Sequence, residues 1–356
     1  MSADFRSDNV ANIAPEILAA IAAANAEASA TAYGDDGWTE RLSAKFNALF
    51  EREVYAFPLA TGTASNALAL SAITPSWGVV FCHAQAHVRV DECGAPELFT
   101  GGARVVGLSG SAGKLIPAEL AVAIAAAAPH GAHNMQPAAV SISQSSELGR
   151  VYAAGEVAAL AAVAHDAGLA LHMDGARLAN AVAACNVSIA DLTWRAGVDV
   201  LSFGATKNGA MAAEAIVCFD EATARTLAFR RKRAGQLLSK MRFVSAQWEA
   251  YLADGLWLRN ARHANAMAAR LAAGLAPLSG VRILTPAEAN EVFAHLPARM
   301  SAGLRDQGFR FHPWDHALGA GSVRLVTAFN TRESDVDAFV RAAELLARSS
   351  TAGMQG

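Results

Sequence analysis

Short apolar runs alternate with helical segments through the first two thirds of the chain, and this alternation constrains the fold more than any other feature. The predicted strands are Val79–Cys82, Ala103–Gly107, Ala138–Ser143, Ala170–Met173, Val198–Ser202 and Ala215–Phe219. Strands that are apolar throughout and separated by helices are typical of a parallel sheet with helices on both faces. We therefore predict an α/β fold with a mostly parallel central sheet.

The pattern changes after Phe219. Long helices are predicted over Glu221–Gly255 and Leu256–Ala276, and the strands that follow are Val281–Leu284, Glu291–His295 and Ser322–Ala328. This mixture indicates a smaller α+β unit. We expect an N-terminal segment and large domain over residues 1–250, and a small C-terminal domain over residues 251–356.

Composition excludes several kinds of partner. The 356 residues are 53% hydrophobic, and 29 basic against 32 acidic side chains give a net charge of -3. A substantial core can form, but no basic excess is present to neutralise a nucleic acid backbone. The apolar stretches are too short or too rich in alanine to span a membrane. We expect a small-molecule ligand and, because only 17% of residues are charged, a buried interface in a homo-oligomer.

The four cysteines lie far apart, at Cys82, Cys93, Cys185 and Cys218. This spacing supports neither a metal site nor a disulfide framework. The N-terminus has no apolar segment typical of a signal peptide. We therefore expect a reduced, cytoplasmic protein with no metal site.

Lys207 stands out among the five lysines because it comes directly after a predicted strand, within Phe203-Gly204-Ala205-Thr206-Lys207-Asn208-Gly209. Ligands of α/β sheets bind at the carboxyl ends of the strands. A lysine there, among small residues, is a candidate for a Schiff base with a carbonyl cofactor. The alternative is a surface lysine in a turn.

The run Asp174-Gly175-Ala176-Arg177 follows another predicted strand. A carboxylate at this position can face the nitrogen of a pyridine ring and favour its protonated form. Arg177 can hold a carboxylate with two parallel hydrogen bonds. The alternative for Asp174 is a cap on the next helix.

Two further features complete the pattern. Thr61-Gly62-Thr63 opens a predicted helix with small and hydroxylated residues, which suits a phosphate, although an ordinary capped helix has the same appearance. His87 follows a strand and could stack on a ring and transfer protons near neutral pH. A structural role is the alternative for His87, and His83 competes with it.

In chain order, the phosphate turn, the histidine, Asp-Gly-Ala-Arg and Thr-Lys resemble the fold-type I pyridoxal 5'-phosphate (PLP) enzymes, and more narrowly the threonine aldolase family. The matching motifs are Phe5-Arg6-Ser7-Asp8, Tyr33-Gly34-Asp35-Asp36, Thr61-Gly62-Thr63, His172-Met173-Asp174-Gly175-Ala176-Arg177 and Ser202-Phe203-Gly204-Ala205-Thr206-Lys207-Asn208-Gly209. The resemblance runs from about residue 4 to Arg324 and beyond. It implies a fold-type I, transferase-like large domain, PLP as cofactor, and a dimer or tetramer.

The resemblance also implies site residues. Positions that would contact the cofactor are Lys207, Asp174, His87, Gly62, Thr63 and Arg177. Positions that would contact the substrate are Ser7, Tyr33, Arg177 and Arg324. Lys207 would hold PLP covalently and Asp174 would pair with the ring nitrogen. His87 would stack on the ring and move a proton at the substrate hydroxyl, and Tyr33 would approach from across a subunit boundary.

The chain departs from the common family pattern at Gln236–Arg242, where many members have Gly-Gly-Gly-Met-Arg, and at Ser143–Gly149, where an Asn-rich loop is commoner. These departures leave open the roles of Arg231, Arg233 and Arg242. The role of Glu92, near the reacting group or structural, is also open.

The implied activity is that of a low-specificity L-threonine aldolase, an aldehyde-lyase. Such an enzyme cleaves L-threonine, L-allo-threonine and related β-hydroxy-α-amino acids, including phenylserine, to glycine and an aldehyde. The alternatives are another fold-type I PLP lyase or an aminotransferase, and a non-catalytic binding protein on the same fold. The preferred substrate and the discrimination at Cβ stay open.

Overall fold

The computed structural model of the chain describes residues 3–352, apart from the side chains of residues 349–352. The helices are α1 (Pro15–Ala26), α2 (Gly37–Phe50), α3 (Gly62–Ile73), α4 (His87–Val90), α5 (Ala95–Thr100), α6 (Pro117–Ala126), α7 (Ala154–Asp166), α8 (Leu178–Cys185), α9 (Ile189–Leu192), α10 (Glu221–Arg233), α11 (Arg242–Leu252), α12 (Leu256–Leu275), α13 (Ala298–Asp306), α14 (Asp315–Leu318) and α15 (Glu333–Ala352). Short 3₁₀ helices cover Asp8–Val10, Gly131–His133, Trp194–Ala196, Thr206–Asn208 and Ala253–Gly255.

The strands are β1 (Tyr55–Leu59), β2 (Gly78–His83), β3 (Arg104–Leu108), β4 (Gly110–Ser111), β5 (Lys114–Leu115), β6 (Gln136–Ser143), β7 (Ala170–Gly175), β8 (Val200–Gly204), β9 (Glu214–Cys218), β10 (Arg282–Ile283), β11 (Glu291–His295), β12 (His312–Pro313) and β13 (Ser322–Val326). Seven of them form the large sheet, in the order β1-β9-β8-β7-β6-β2-β3. Four form the small sheet, in the order β10-β11-β13-β12, in which every pair is antiparallel.

The predicted α/β fold with a mostly parallel sheet is confirmed. Strands β3, β2, β6, β7 and β8 pair in parallel. Strand β9 runs antiparallel to both of its neighbours, β8 and β1, which the sequence pattern did not predict. The connection from β8 to β9 is too short for the crossover that a parallel neighbour requires, so the chain turns back.

The single long helix predicted over Glu221–Gly255 is wrong, because the chain forms α10 and α11 with a break between them. Gly235 lies in the break at φ +73°, a left-handed conformation that glycine adopts without strain. The next helix agrees closely with its prediction, since α12 ends at Leu275 and the predicted end was Ala276.

The most extensive hydrophobic cluster lies around the large sheet, and the second most extensive lies beside the small sheet. Around the large sheet, Trp248 packs against Phe203 and Phe46 with ring centroids 5.0 and 5.2 Å apart. Beside the small sheet, Phe339 packs against Phe5 and Phe309 at 5.3 and 5.1 Å. Fully burying an aromatic side chain of this kind stabilises a fold by roughly 1.5–3 kcal/mol. The predicted domain boundary at residue 250 stays a prediction.

The N-terminal segment joins the small sheet before it reaches the large one. The Phe5 amide donates to the Arg310 carbonyl at 2.8 Å, and the Val326 amide donates to the Phe5 carbonyl at 2.8 Å. Ser7 and Asp8 then continue to the carboxyl edge of the large sheet. Among the described residues, no helix is both long enough and apolar enough to cross a membrane.

Candidate active site

A cavity of about 660 Å³ opens at the carboxyl ends of the parallel strands. Its lining includes eight of the predicted site residues, which are Ser7, Gly62, Thr63, His87, Asp174, Arg177, Lys207 and Arg324. The topology explains the convergence, because Ser143 on β6, Asp174 on β7 and Ser202 on β8 stand side by side in register. Ligand sites of open α/β sheets lie at this edge.

Asp174 lies at the end of β7 and is 6% exposed. Its Oδ1 accepts a hydrogen bond from the Ala176 amide at 3.0 Å, and its Oδ2 accepts one from Asn66 Nδ2 at 2.9 Å. Two donors therefore hold the carboxylate in one orientation. The carboxylate can stabilise a cationic group in the cavity.

Lys207 follows β8 in the 3₁₀ helix Thr206–Asn208 and lines the same cavity. Glu214 lies close by, because β9 runs antiparallel and brings its first residue to the edge where β8 ends. Burial raises the pKa of Glu214 to about 7, while a hydrogen bond from Thr206 and the charge of Lys207 act in the opposite direction. The lysine thus shares its side of the cavity with a carboxyl group that can be neutral near pH 7.

The turn before α3 provides the amide groups expected for an anion. Thr61 caps the helix by accepting a hydrogen bond from the Ala64 amide at 3.3 Å, and Gly62 and Thr63 open its first turn. All three residues line the cavity. Free amide groups at the N-terminus of a helix favour a phosphate. Glu214 is near, since a Cβ on Gly62 would lie 3.9 Å from Glu214 Oε2.

His87 is the first residue of α4 and has two acidic neighbours. Its Nδ1 lies 2.9 Å from Glu92 Oε1, and this hydrogen bond raises the pKa of His87 above its ordinary value. Its backbone amide donates to Glu147 Oε1 at 2.9 Å, and the Ser143 hydroxyl donates to the same oxygen at 2.6 Å. Burial raises the pKa of Glu147 to about 7. The ring can therefore hold a proton beside the cavity.

Arg177 is bound more tightly than the sequence indicated. Its Nε and Nη2 donate to the two oxygens of Asp8 at 2.8 and 3.0 Å, and its Nη1 lies 3.5 Å from Glu291. Arg324 lies over the Trp314 ring at 4.2 Å and faces Glu291 at 3.9 Å. Both guanidinium groups line the cavity, so the pair can hold an anionic group of a ligand.

Tyr33 does not line the cavity. It is 49% exposed, and the Lys232 ammonium lies 4.4 Å from its ring. Arg231 also lies outside the cavity, 5.8 Å from the Phe57 ring, and burial lowers its pKa to about 10. The cavity of one chain therefore does not account for the substrate contact predicted for Tyr33. It does not supply a role for Arg231 either.

Sequence reasoning assigned no role to several residues of the lining. These are Asn66, Asp91, Glu147, Glu214, Glu291 and Trp314. Asn66 could have been singled out because it belongs to the run that opens α3, and Glu214 because an acid stands at the start of a strand shortly after Lys207. In the part of the chain that the structure describes, no group of three or more His, Cys, Asp or Glu side chains could hold a metal ion.

Comparisons with known proteins agree with this geometry. The model of the beta-eliminating lyase family matches residues 4–299. The low specificity L-threonine aldolase of Pseudomonas sp. (strain NCIMB 10558) is 43% identical over 335 residues, which cover 94% of this chain and 95% of the relative. The enzyme of the same name from Pseudomonas aeruginosa is 44% identical over 92% of this chain and 93% of its own.

Solved structures extend the comparison. The Leishmania major threonine aldolase superimposes with a TM-score of 0.90 at 29% identity, covering 97% of this chain and 99% of that one. Sphingomonas wittichii serine palmitoyltransferase, at 14% identity and a TM-score of 0.74 over 99% of this chain and 88% of that one, shares the fold. The extent of the family match and the identity to the curated relatives lead to one conclusion: the chain belongs to the beta-eliminating lyase family, alongside the low specificity L-threonine aldolases.

Proposed function

We propose that this protein is a PLP-dependent aldehyde-lyase that cleaves L-threonine, L-allo-threonine and related β-hydroxy-α-amino acids, including phenylserine, to glycine and an aldehyde. The observation that carries the proposal is that a lysine, a fixed carboxylate and the N-terminus of α3 line a single cavity in a chain 43% identical to a low specificity L-threonine aldolase. The family generally uses PLP, and these three features fit its aldehyde, ring nitrogen and phosphate.

Lys207 Nζ would hold PLP covalently, Asp174 would face its ring nitrogen, and Gly62 and Thr63 would bind its phosphate. When bound, PLP supplies an electron sink for the electron pair released at the substrate Cα. The carboxylate of Asp174 favours the protonated ring nitrogen, because an adjacent negative charge stabilises the cation. The amides of Asn66 and Ala176 keep that carboxylate in place.

Arg177 and Arg324, with Ser7, would hold the substrate carboxylate. Orientation is their main contribution, because the bond at Cα that breaks is the one aligned with the electron sink. Arg324 would take the larger share, since two nitrogens of Arg177 already bind Asp8. Fixing the carboxylate would select cleavage of the Cα–Cβ bond over reactions of the Cα–H bond.

His87 would take the proton from the β-hydroxyl oxygen as the Cα–Cβ bond breaks and the C=O bond of the aldehyde forms. A proton is then returned to Cα, and glycine leaves. A positioned base of this kind typically contributes ~10²–10⁴-fold to the rate. The imidazole suits the step because it can bind and release a proton near neutral pH.

Replacing Lys207 by alanine tests the proposal. We expect the Lys207→Ala variant to lose both the visible absorbance that PLP gives with the wild type and the release of aldehyde from threonine. The control is Lys45→Ala, on α2 and away from the cavity, which should keep both. A Lys207→Ala variant that keeps the absorbance and normal turnover would contradict the assignment.

A substrate panel separates the proposal from its alternatives. The wild type is incubated with threonine, allo-threonine, phenylserine, tyrosine and an amino acid with a keto acid. Aldehyde and glycine from the first three support the aldolase, phenol from tyrosine supports another lyase, and a new amino acid supports an aminotransferase. Failure to take up PLP would instead support the non-catalytic alternative.

We also propose a homo-oligomer, a dimer or a tetramer, in the cytoplasm, with a domain boundary near residue 250. Large apolar side chains on the surface support the assembly, among them Phe229 at 78% and Leu98 at 73% exposure. All four cysteines are free, which is consistent with a reducing compartment. Tyr33 could then meet the cavity of a second subunit. Light scattering at several concentrations measures the mass.

A further inference from the structure

A chain of polar side chains connects His87 to Asp174 across the wall of the cavity. His87 Nδ1 lies 2.9 Å from Glu92 Oε1, and Asn66 Nδ2 donates to that same oxygen at 2.8 Å. Asn66 Nδ2 also donates to Asp174 Oδ2 at 2.9 Å. One amide group therefore bridges the carboxyl group beside the histidine and the carboxylate beside the proposed ring nitrogen.

The carboxyl and amide groups of this chain are buried and therefore need hydrogen-bond partners. Glu92 and Asn66 are each 3% exposed, and Glu92 Oε2 has no hydrogen-bond partner among the described residues. A buried carboxyl group is costly unless donors satisfy it, so Glu92 depends on His87 and Asn66. Because both contacts of the amide are carboxyl oxygens, its nitrogen and not its oxygen must point at them.

The contacts determine which nitrogen of His87 carries the proton. An ionised carboxylate can only accept hydrogen bonds, so ionised Glu92 accepts from both Asn66 and His87 through Oε1, and neutral His87 then carries its proton on Nδ1. Its Nε2 is then an acceptor. The logic is the same as in other sites where a carboxylate selects the tautomer of a catalytic histidine.

We propose that Glu92, held by Asn66, is a positioning residue that keeps neutral His87 in the Nδ1–H tautomer and presents the lone pair of Nε2 to the substrate hydroxyl. The base role rests on the proposed function, whereas the tautomer does not. The open question about Glu92 is thereby answered: it acts through His87.

Other charges also face His87. Asp174 at the end of β7 stabilises the charged ring, Lys207 after β8 opposes it, and Glu147 accepts the backbone amide. The hydrogen bond to Glu92 is the largest influence and raises the pKa of His87, while burial lowers it. Titration of His87 therefore reports directly on Glu92.

Nitrogen-15 NMR of the imidazole rings tests the proposal on the protein without substrate, with the His87 signals identified by their loss in a His87→Asn sample. In the wild type we expect the neutral ring to carry its proton on Nδ1. In Glu92→Gln the carbonyl oxygen can still accept from Nδ1, so the tautomer should persist while the titration midpoint falls. In Glu92→Leu both the tautomer and the titration midpoint should change, with the proton of the neutral ring moving to Nε2.

The matched control is Asp199→Asn. Asp199 forms a similar pair with His165, at 2.8 Å but on the surface, so this variant should leave the His87 signals unchanged. A wild-type proton on Nε2, or an unchanged midpoint in Glu92→Gln, would overturn the proposal even if Glu92→Leu fails to fold. Aldehyde assays are read separately: a wild type that releases no aldehyde contradicts the proposed function and leaves the NMR result standing.

Discussion

Asp174 illustrates how much of a residue's role depends on its neighbours. The side chain could be assigned to a ring nitrogen from its position at the end of a strand, but its orientation comes from one donor on α3 and one just after β7. A carboxylate held by two donors needs little rearrangement when charge develops opposite it, which is how preorganised sites stabilise transition states.

Replacing Asp174 by asparagine keeps the shape and removes the charge. We expect Asp174→Asn to retain some PLP, because Lys207 and the turn before α3 are intact, but to lose turnover by roughly 10²–10³-fold, the range seen when a preorganised electrostatic partner is removed. Absorbance titration with PLP and aldehyde release measure the two effects. Near-normal turnover would refute the role of Asp174.

Glu214 should make PLP binding depend on pH. Burial raises its pKa to about 7, so the folded protein keeps the proton on this carboxyl group at pH 6 and loses it at pH 8. A carboxylate close to Gly62 would repel a phosphate, so we expect wild-type affinity for PLP to fall at pH 8 relative to Glu214→Gln, on the order of tenfold. The measurement is the PLP dissociation constant of both proteins at pH 6 and pH 8. If the constant changes by the same factor between the two pH values in the wild type and in Glu214→Gln, the prediction is contradicted.

For single residues, the sequence identified side chains that follow a strand and have reactive chemistry of their own. It missed side chains whose role is to hold another residue in place. Lys207 and His87 follow strands and carry recognisable chemistry. Asn66 offers only the weaker signal of belonging to the run that opens α3, because its importance depends on Glu92 and Asp174, which lie elsewhere in the fold and both accept from its side-chain nitrogen. Spacing along a chain does not encode such three-way contacts.

His172 shows how neighbouring strands share a buried polar group. It lies on β7 and is fully buried, with Ser141 Oγ on β6 at 2.9 Å from Nδ1 and Ser202 Oγ on β8 at 3.0 Å from Nε2. Burial lowers its pKa to about 4. The neutral ring thus connects the three strands that carry the site.

The protein should become less stable at acidic pH because buried His172 resists protonation. Its pKa is about 6.5 when unfolded and about 4 when folded, so the unfolded chain binds the extra proton between those values. The free energy of unfolding should therefore decrease as pH drops through this window, by up to about 3 kcal/mol from this group. Urea unfolding at several pH values should give a shallower decrease in His172→Asn, and an identical slope would contradict the assignment.

Elements were predicted well where apolar periodicity decides them and poorly where a turn decides them. The amphipathic run of α12 was predicted to within one residue at its end. The break after α10 was missed because an isolated Gly235 in a basic, polar stretch gives a weak local signal. The direction of β9 was missed because a short apolar strand has the same composition in either direction.

The N-terminal segment connects the small sheet to the large sheet. Phe5 packs against Phe339 beside the small sheet, and three residues later Asp8 binds Arg177 beside the large one. Asn290, which precedes the small-sheet strand β11, donates to Asp8 at 3.0 Å. This connection could not be predicted from the sequence pattern, because Asp8 and Asn290 lie 282 positions apart.

Asp8 should contribute strongly to stability. Burial alone would raise its pKa, but the charges of Arg177 and Lys207 and the hydrogen bonds from Arg177 and Asn290 together hold the pKa below its ordinary value. Removing one partner of a buried pair costs about 3–5 kcal/mol, and Glu291 remains 3.5 Å from Arg177, so we expect Asp8→Asn to lower the free energy of unfolding by up to this amount. The wild-type contribution is present above the unfolded pKa of the group and is lost as pH falls through the folded value.

The matched control is Asp4→Asn in the same segment. Asp4 binds Arg6 near the surface, where an ion pair contributes about 0–1 kcal/mol. Urea unfolding of both variants at neutral pH provides the comparison. Equal losses in the two proteins would show that Asp8 has no special role.

The reversed direction of β9 limits how this part of the chain can evolve. The polypeptide leaves the ligand edge through Lys207 and returns through Glu214, and the Ala205 amide bonded to the Ala213 carbonyl at 3.0 Å closes the excursion. Side chains alternate between the two faces of a strand, so an inserted residue that shifted the pairing of β9 by one position would turn Glu214 and every later side chain of β9 to the opposite face. Lys207 would stay in place while Glu214 left the cavity. The site therefore depends on the length of this turn as much as on its composition.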